Sequence, residues 1–164
     1  MSRKWKIALG VLAVVVVFCL WYTRPRSFEE LVGDGEFQNF SIITHTTEAN
    51  TTERIKESWQ FDSHGEFGAE LRDILQSCEY RVSLRSLLPF SDPGPVYEDG
   101  NLTVLLSAVT GTEEGFTSMY CGTAATFSVH GRSILTQVQD PDISLKILAF
   151  VQEHGWITSS SKES

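Results

Sequence analysis

"NLTVLLSAVTGTEEGFTSMYCGTAATFSVHGRSILTQV", residues 101–138, decides the fold. It holds strand-length runs rich in β-branched and aromatic residues: Leu102–Thr110, Phe116–Cys121 and Thr126–Val129, the last passing through His130-Gly131 into Ser133–Val138. The His130-Gly131 pair suits a two-residue hairpin turn, because glycine removes the cost of positive φ. Strands joined by links this short pair antiparallel.

Working outward, Tyr80–Leu87 reads as a further strand, separated from this block by the Pro- and Gly-rich loop "PFSDPGPVYEDGN", residues 89–101. Before it, Ser63 and Glu66 have capping-box spacing, and Phe67, Leu71, Ile74, Leu75 and Cys78 recur on one helical face. "FQNFSIITHTT" (37–47) and "ERIKESWQF" (53–61) read as strands paired through "TEANTT", the second alternating Ile55, Glu57, Trp59 and Phe61 with Arg54, Lys56, Ser58 and Gln60. "SFEELVGDG" (27–35) reads as a short helix capped by Ser27 and ended by Gly33 or Gly35. After the strand block, Asp140 caps a last helix, Pro141 takes its first position and Gly155 its C-terminal αL cap, with Ile143, Ile147, Phe150, Val151 and His154 on one face. Residues 158–164 are polar and read as a disordered tail.

The predicted order is α-β-β-α-β-β-β-β-α. The fold class is α+β: a mainly antiparallel sheet of about five to six strands with two longer helices packed on one face. Residues 27–157 form the single domain.

That domain is preceded by "IALGVLAVVVVFCLWY", residues 7–22, which carries no charge over 16 residues. The length falls between a signal-peptide core of about 7–15 residues and a spanning helix of about 17–25. Trp5, Trp21 and Tyr22 have the look of an interfacial aromatic belt, and no A-x-A-like site follows before Ser27. Phe18 directly before Cys19 argues against lipid attachment there. The reading is an uncleaved signal anchor over residues 7–23 after a basic segment, 1–6, with cleavage as its rival. Three basic residues before the run against two after it put the N-terminus in the cytoplasm and the domain outside. If Ser27 caps the first helix, the domain sits close against the membrane.

Five of the 13 basic residues flank that run and none of the 21 acidic ones precede it, so residues 27–164 carry a net charge of −13. With no basic patch interleaved with aromatics, nucleic acid is excluded as a partner.

Cys78 and Cys121 are the cysteines outside the apolar run. In an oxidising compartment they could close one disulfide; otherwise each is a small buried apolar group. His45, His64, His130 and His154 show no metal-site spacing, and no metal or cofactor is expected. Ser159 and Lys162 match Ser-x-x-Lys by chance, in a polar tail that cannot desolvate the lysine. Asn39, Asn50 and Asn101 each precede x-Ser/Thr, the acceptor pattern for glycosylation in a eukaryotic secretory route.

From Phe37 onward, "ITHTTEANTTERI", "AELRDILQSCEYR", "NLTVLLSAVTG", "TFSVHGRSI" and "DPDISLKILAFVQEHG" carry a resemblance. They resemble small, uncharacterised membrane- or lipid-anchored extracytoplasmic proteins of clostridium-like Gram-positive bacteria, over most of residues 37–156. The resemblance implies bacterial origin and extracytoplasmic placement, and transfers no functional residue.

Three functions are compatible with the sequence. The first is a non-enzymatic ectodomain binding a protein, peptide or envelope component through loop 89–101 and the sheet face bearing Arg54, Lys56 and Arg85. The second is an envelope enzyme using carboxylates near Tyr80, Arg81 or Tyr120. The third is an accessory whose membrane helix is itself the binding element, though no G-x-x-x-G supports helix pairing.

Overall fold

The computed structural model describes residues 2–47, 53–62, 64–87, 102–110, 115–129 and 131–163. Helix α1, Arg3–Tyr22, spans 20 residues with no buried side chain. At 1.5 Å per residue it is about 30 Å long, the thickness of a bilayer's hydrocarbon core. Thr23 closes it, its amide and hydroxyl both donating to the Cys19 carbonyl at 3.0 and 2.8 Å.

Two residues later the chain enters the domain. Strand β1, Pro25–Arg26, leads into helix α2, Phe28–Val32, whose Glu30 amide donates to Ser27 Oγ at 3.2 Å. Gly33, at φ 105°, ends α2, a conformation only glycine adopts cheaply. Phe28 is fully buried and meets four rings, those of Phe37, Tyr80, Phe116 and Phe127, at centroid distances of 5.6–6.3 Å. This five-residue helix is therefore held by its side chain and not by its own length.

Strands β2 (Phe37–Thr47) and β3 (Arg54–Phe61) pair antiparallel, as their alternation predicts. Helix α3, His64–Gln76, follows; its expected cap Ser63 lies outside the described residues. Gly68 lets α3 come down onto β2, since a Cβ there would stand 3.1 Å from the Phe37 carbonyl oxygen. Then come β4 (Tyr80–Val82), β5 (Thr103–Thr110), β6 (Gly115–Cys121), β7 (Ala124–Val129), β8 (Arg132–Val138), helix α4 (Ile143–His154) and β9 (Gly155–Glu163).

The strands make one antiparallel sheet in the order β1-β4-β8-β7-β6-β5-β2-β3-β9. Helices α3 and α4 cover one face, where Ile42, Val104, Leu106, Tyr120, Phe127, Leu71, Leu75 and Ile147 are buried to 0 % exposure. A second aromatic group, Phe40, Phe61 and Phe150, packs beneath α4 at 4.8–6.3 Å. The α+β class, the antiparallel sheet and the apolar N-terminal helix agree with the sequence reading.

The details differ from it in four places. First, the described residues form nine strands where about five to six are expected: β1 and β9 carry no strand signal, and the run passing through His130-Gly131 is two strands, β7 and β8. Second, the tail expected to be disordered is β9: its backbone pairs with β3 from Phe61↔Gly155 to Arg54↔Glu163, with a shift of register between Ser58 and Trp59. A polar composition says nothing against a strand when an edge is there to pair with.

Third, the strand expected over Tyr80–Leu87 stops at Val82 and becomes a 3₁₀ turn, Leu84–Leu87. Serine hydroxyls divert it: Ser83 Oγ accepts from the Arg85 amide at 3.3 Å, and Ser86 Oγ accepts from the Leu135 amide at 2.9 Å. Fourth, α4 is bounded otherwise than predicted. Asp142 is its N-cap, and Asp140 instead accepts from the Asp142 amide at 2.9 Å. Gly155 is extended, at φ −107°, so it is no αL cap. It is required for space, since a Cβ there would meet the Val151 carbonyl oxygen at 2.8 Å.

Candidate functional site

The face of the sheet opposite the helices carries the candidate site. Register sets its side chains in rows, because residues directly opposite on paired strands share a face. One row is Ser41, Ser107, Thr117, Ser128 and Ser133, each paired with the next across β2, β5, β6, β7 and β8. The row crosses four strand spacings, about 19 Å. The neighbouring row by register is Ile43, Leu105, Met119, Thr126 and Leu135. A third runs from Lys56 through His45 and Thr103, with Thr103 Oγ1 lying 3.4 Å from Cys121 Sγ.

Small side chains along the first row leave a shallow groove of about 450 Å³, lined by Asn39, Ser41, Ser107, Val109, Thr117 and Ser128 among others. Hydroxyls and an amide line it beside the methyls of Val109, which stands 41 % exposed. Such a surface can exchange hydrogen bonds with an extended polar ligand; among the described residues that line it none is charged.

No protein-family model, curated protein or solved structure matches this chain. The site has therefore to be judged on its own chemistry.

Arg54 and Lys56 stand on β3, both turned to the open face by the alternation that buries Trp59 and Phe61. Arg85 stands on the 3₁₀ turn beside β8, five strand spacings away, about 24 Å along the sheet. The structure does not gather these three into one surface. Loop 89–101, with Asn101, and Asn50 lie outside the described residues, as does His130; Asn39 is exposed on β2 at the groove.

Cys78 and Cys121 are free thiols, and they are not brought together. Cys78 lies in the core under the helices, whereas Cys121 alternates with buried Tyr120 and so faces the other side.

The second place with chemical character is the junction of α3, β4 and α4. Cys78 Sγ is 3.8 Å from Asp140 Oδ2, and Asp140 pairs with Lys146. Burial pushes the Cys78 thiol up, so it stays protonated near neutral pH and is a poor nucleophile. The Lys146 ammonium, helped by the Asp142 amide, holds the Asp140 carboxyl below its ordinary range. Burial pushes both Tyr80 and Tyr120 hydroxyls up, and Tyr80 donates to the Leu75 carbonyl at 3.0 Å. The Asp140 carboxylate is thus engaged by a lysine, and the Cys78 thiol beside it is not activated.

A third concavity, about 400 Å³, lies between α2 and α3 with Glu29, Asp34, Glu36 and Asp73 at its mouth. Arg72 occupies it. Its guanidinium reaches the Gly35 and Gly33 carbonyls and Glu29, while Gln76 donates to Glu29 at 2.7 Å. These bonds clip the link from α2 to β2, a structural use. His154 packs on Phe67 and Phe150, with Nε2 3.1 Å from Glu70 Oε2 but off the line of a hydrogen bond. Among the described residues no group of three or more His, Cys, Asp or Glu could hold a metal ion.

Sequence reasoning places the likeliest contact surface on loop 89–101 and the sheet face bearing Arg54, Lys56 and Arg85. It missed the hydroxyl row, whose members come from five strands and become neighbours only through register. The one available signal was the serine or threonine at the exposed phase of each strand.

Proposed function

We propose that this protein is a single-pass membrane-anchored binding module whose domain lies outside the cytoplasm and recognises an extended polar partner on the open face of its sheet. The observation that carries this reading is that uncovered face, with a five-residue hydroxyl row and a groove beside it. The 20-residue apolar helix supplies the anchor, and the basic bias before it supplies the orientation. The resemblance to anchored proteins of clostridium-like bacteria supports a cell-envelope setting. The absence of an activated nucleophile among the described groups at the α3–α4 junction leaves binding as the better-supported activity.

The test is photo-crosslinking of the full chain in its native membrane. A photoreactive residue at Thr117, in the groove, should capture a discrete partner, while one at Gln152 on the exposed side of α4 should not. Substituting Ser107→Arg should abolish the Thr117 adduct by filling the groove. Equal, diffuse labelling at both positions would sink the proposal.

A further inference from the structure

The sheet has two ends, and antiparallel register decides which of them the anchor leaves from. Strand β1 pairs with β4 as Arg26↔Tyr80 and Pro25↔Arg81. Going back from Pro25 towards α1 is therefore the same direction as going forward from Arg81 into the 3₁₀ turn Leu84–Leu87. Strand β8 runs against β4, Val82↔Thr136, so its start at Arg132 lies at this end too. Tyr22, the last residue of α1, packs against the domain core, and the Arg26 guanidinium lies 5.8 Å from the centres of both the Trp21 and Tyr22 rings. The anchor is held to this end and does not swing from a long tether.

Two features mark this end. The first is apolar exposure: Leu84 and Leu87 are 43 % and 47 % exposed, outside α1 and away from any helix-covered face. The second is charge. The β4–β8 corner of this end carries Arg81, Arg85 and Arg132, and residues 80–87 and 115–138 hold no carboxylate, in a domain whose net charge is −13; Glu30 at this end pairs with Arg24, and Asp34 and Glu36 stand across the sheet before β2. Topology brings segments distant in sequence into one strip: β1, β4 and β8 are successive neighbours. Exposed leucines set among arginines, beside the mouth of a membrane helix, have the chemistry of a lipid interface.

From this we infer that the anchor end of the domain docks on the bilayer that holds α1, with Leu84 and Leu87 entering the interface and Arg81, Arg85 and Arg132 meeting lipid phosphates. The inference rests on the reading of α1 as a membrane anchor. It goes beyond that reading by fixing which part of the domain touches lipid and so how the sheet stands on the membrane.

The experiment is nitroxide depth measurement on the full chain, reconstituted in vesicles of phosphatidylcholine with roughly 30 mol % phosphatidylglycerol, where each surface arginine adds measurable attraction. Cys19 and Cys121 are changed to Ser, and Cys78 stays, being 3 % exposed. Labels go on Leu84→Cys, Leu87→Cys, Ser159→Cys on the far strand β9 and Val14→Cys within α1. The expected result is oxygen accessibility well above nickel-chelate accessibility at 84, 87 and 14, and the reverse at 159. Reversing Arg81 and Arg85 to Glu should draw the labels at 84 and 87 towards water. If 84 and 87 read as aqueous as 159 while 14 reads hydrocarbon, the docking is wrong and the anchor stands. If 14 is also aqueous, the anchor reading fails and the docking with it. Labels at 84 and 87 that ignore the charge reversal would likewise overturn the docking.

Discussion

Replacing Phe28 by Ala removes the largest of the side chains by which α2 is held, Leu31 being the other buried one. Phe28 is fully buried and stands within 5.6–6.3 Å of four aromatic rings. Phe-to-Ala changes in cores cost about 3–5 kcal/mol, more where the walls cannot collapse. Here the walls are rings fixed on β2, β4, β6 and β7, and each lost edge-on pair adds about 0.5–1.5 kcal/mol. We expect a loss of about 4–5 kcal/mol, a large share of the roughly 5–15 kcal/mol that stabilises an ordinary domain. With a urea slope of about 2 kcal/mol per molar, the unfolding midpoint falls by about 2 M.

The assay is urea unfolding of the full chain in detergent micelles, followed by the circular dichroism of the sheet. The control is Phe18→Ala, the same chemical change on α1 at a residue 46 % exposed, which should leave the midpoint in place. The substitution also has a geometric effect. In the native chain only Thr23 and Arg24 separate α1 from β1. If loosening α2 also frees the two-residue strand β1, the next fixed element is β2 at Phe37, and the free link can reach nearly 50 Å when extended. A loss below about 1 kcal/mol would refute the reasoning, because it would mean that α2 is placed by Arg72 and the backbone, not by the aromatic plug.

Three further outcomes follow from the same packing. In native hydrogen exchange, the alternate amides among residues 159–162 that turn towards β3 should be protected by about a hundredfold or more over an unstructured tail, as part of the edge strand β9; random-coil rates at all of them would remove that strand. Alkylation of the folded chain should modify Cys121 at least about tenfold faster than Cys78, whose thiol is buried and held protonated, and unfolding should equalise them; mass evidence of a Cys78–Cys121 disulfide would contradict this. Asp140 has its carboxyl pKa depressed by Lys146, so its contribution to stability is present above the ordinary Asp value near 3.9 and is lost as pH falls through the lower native value. Asp140→Asn should therefore be less stable than the native chain at pH 7 and indistinguishable from it at the acid end; a gap that persists unchanged at acid pH would mean the pair contributes nothing.

What the sequence revealed follows from which forces are local. Ser27 and Glu30 meet within one helical turn, and Ile55 to Phe61 alternate along one strand, so both are visible in a short window. Strand β1 is two residues long and begins with proline, and no window shows that Arg81 will accept it as a neighbour. Four of the nine residues of strand β9 are serine or threonine, and its pairing depends on the free edge of β3. The diversion at Leu84 needs Leu135, some fifty residues downstream, to receive the Ser86 hydroxyl. The hydroxyl row is hidden for the same reason: each serine is unremarkable until register lines it up with the others.

The positions of groove and anchor constrain each other. Beyond the hydroxyl row, the groove is lined by Asn39, Val109, Gly115 and Gly131. Those residues lie at the start of β2, the end of β5, the start of β6 and the turn before β8. Every one of them is at the sheet end from which α1 departs, since β8 begins beside the 3₁₀ turn and each following strand alternates in direction. With α1 as the membrane anchor we propose, a groove at that end, two residues from the helix, opens within reach of the bilayer surface. Partners that present an extended polar segment next to a membrane, such as the juxtamembrane stretch of another anchored protein, can reach it without lifting the domain. A free soluble polymer must first enter the gap between domain and lipid. Lengthening the link by inserting a flexible stretch between Thr23 and Arg24 should therefore weaken capture of a membrane-borne partner, by lowering its effective concentration at the groove, and should favour soluble competitors. Unchanged capture after such an insertion would separate the groove's function from its nearness to the membrane.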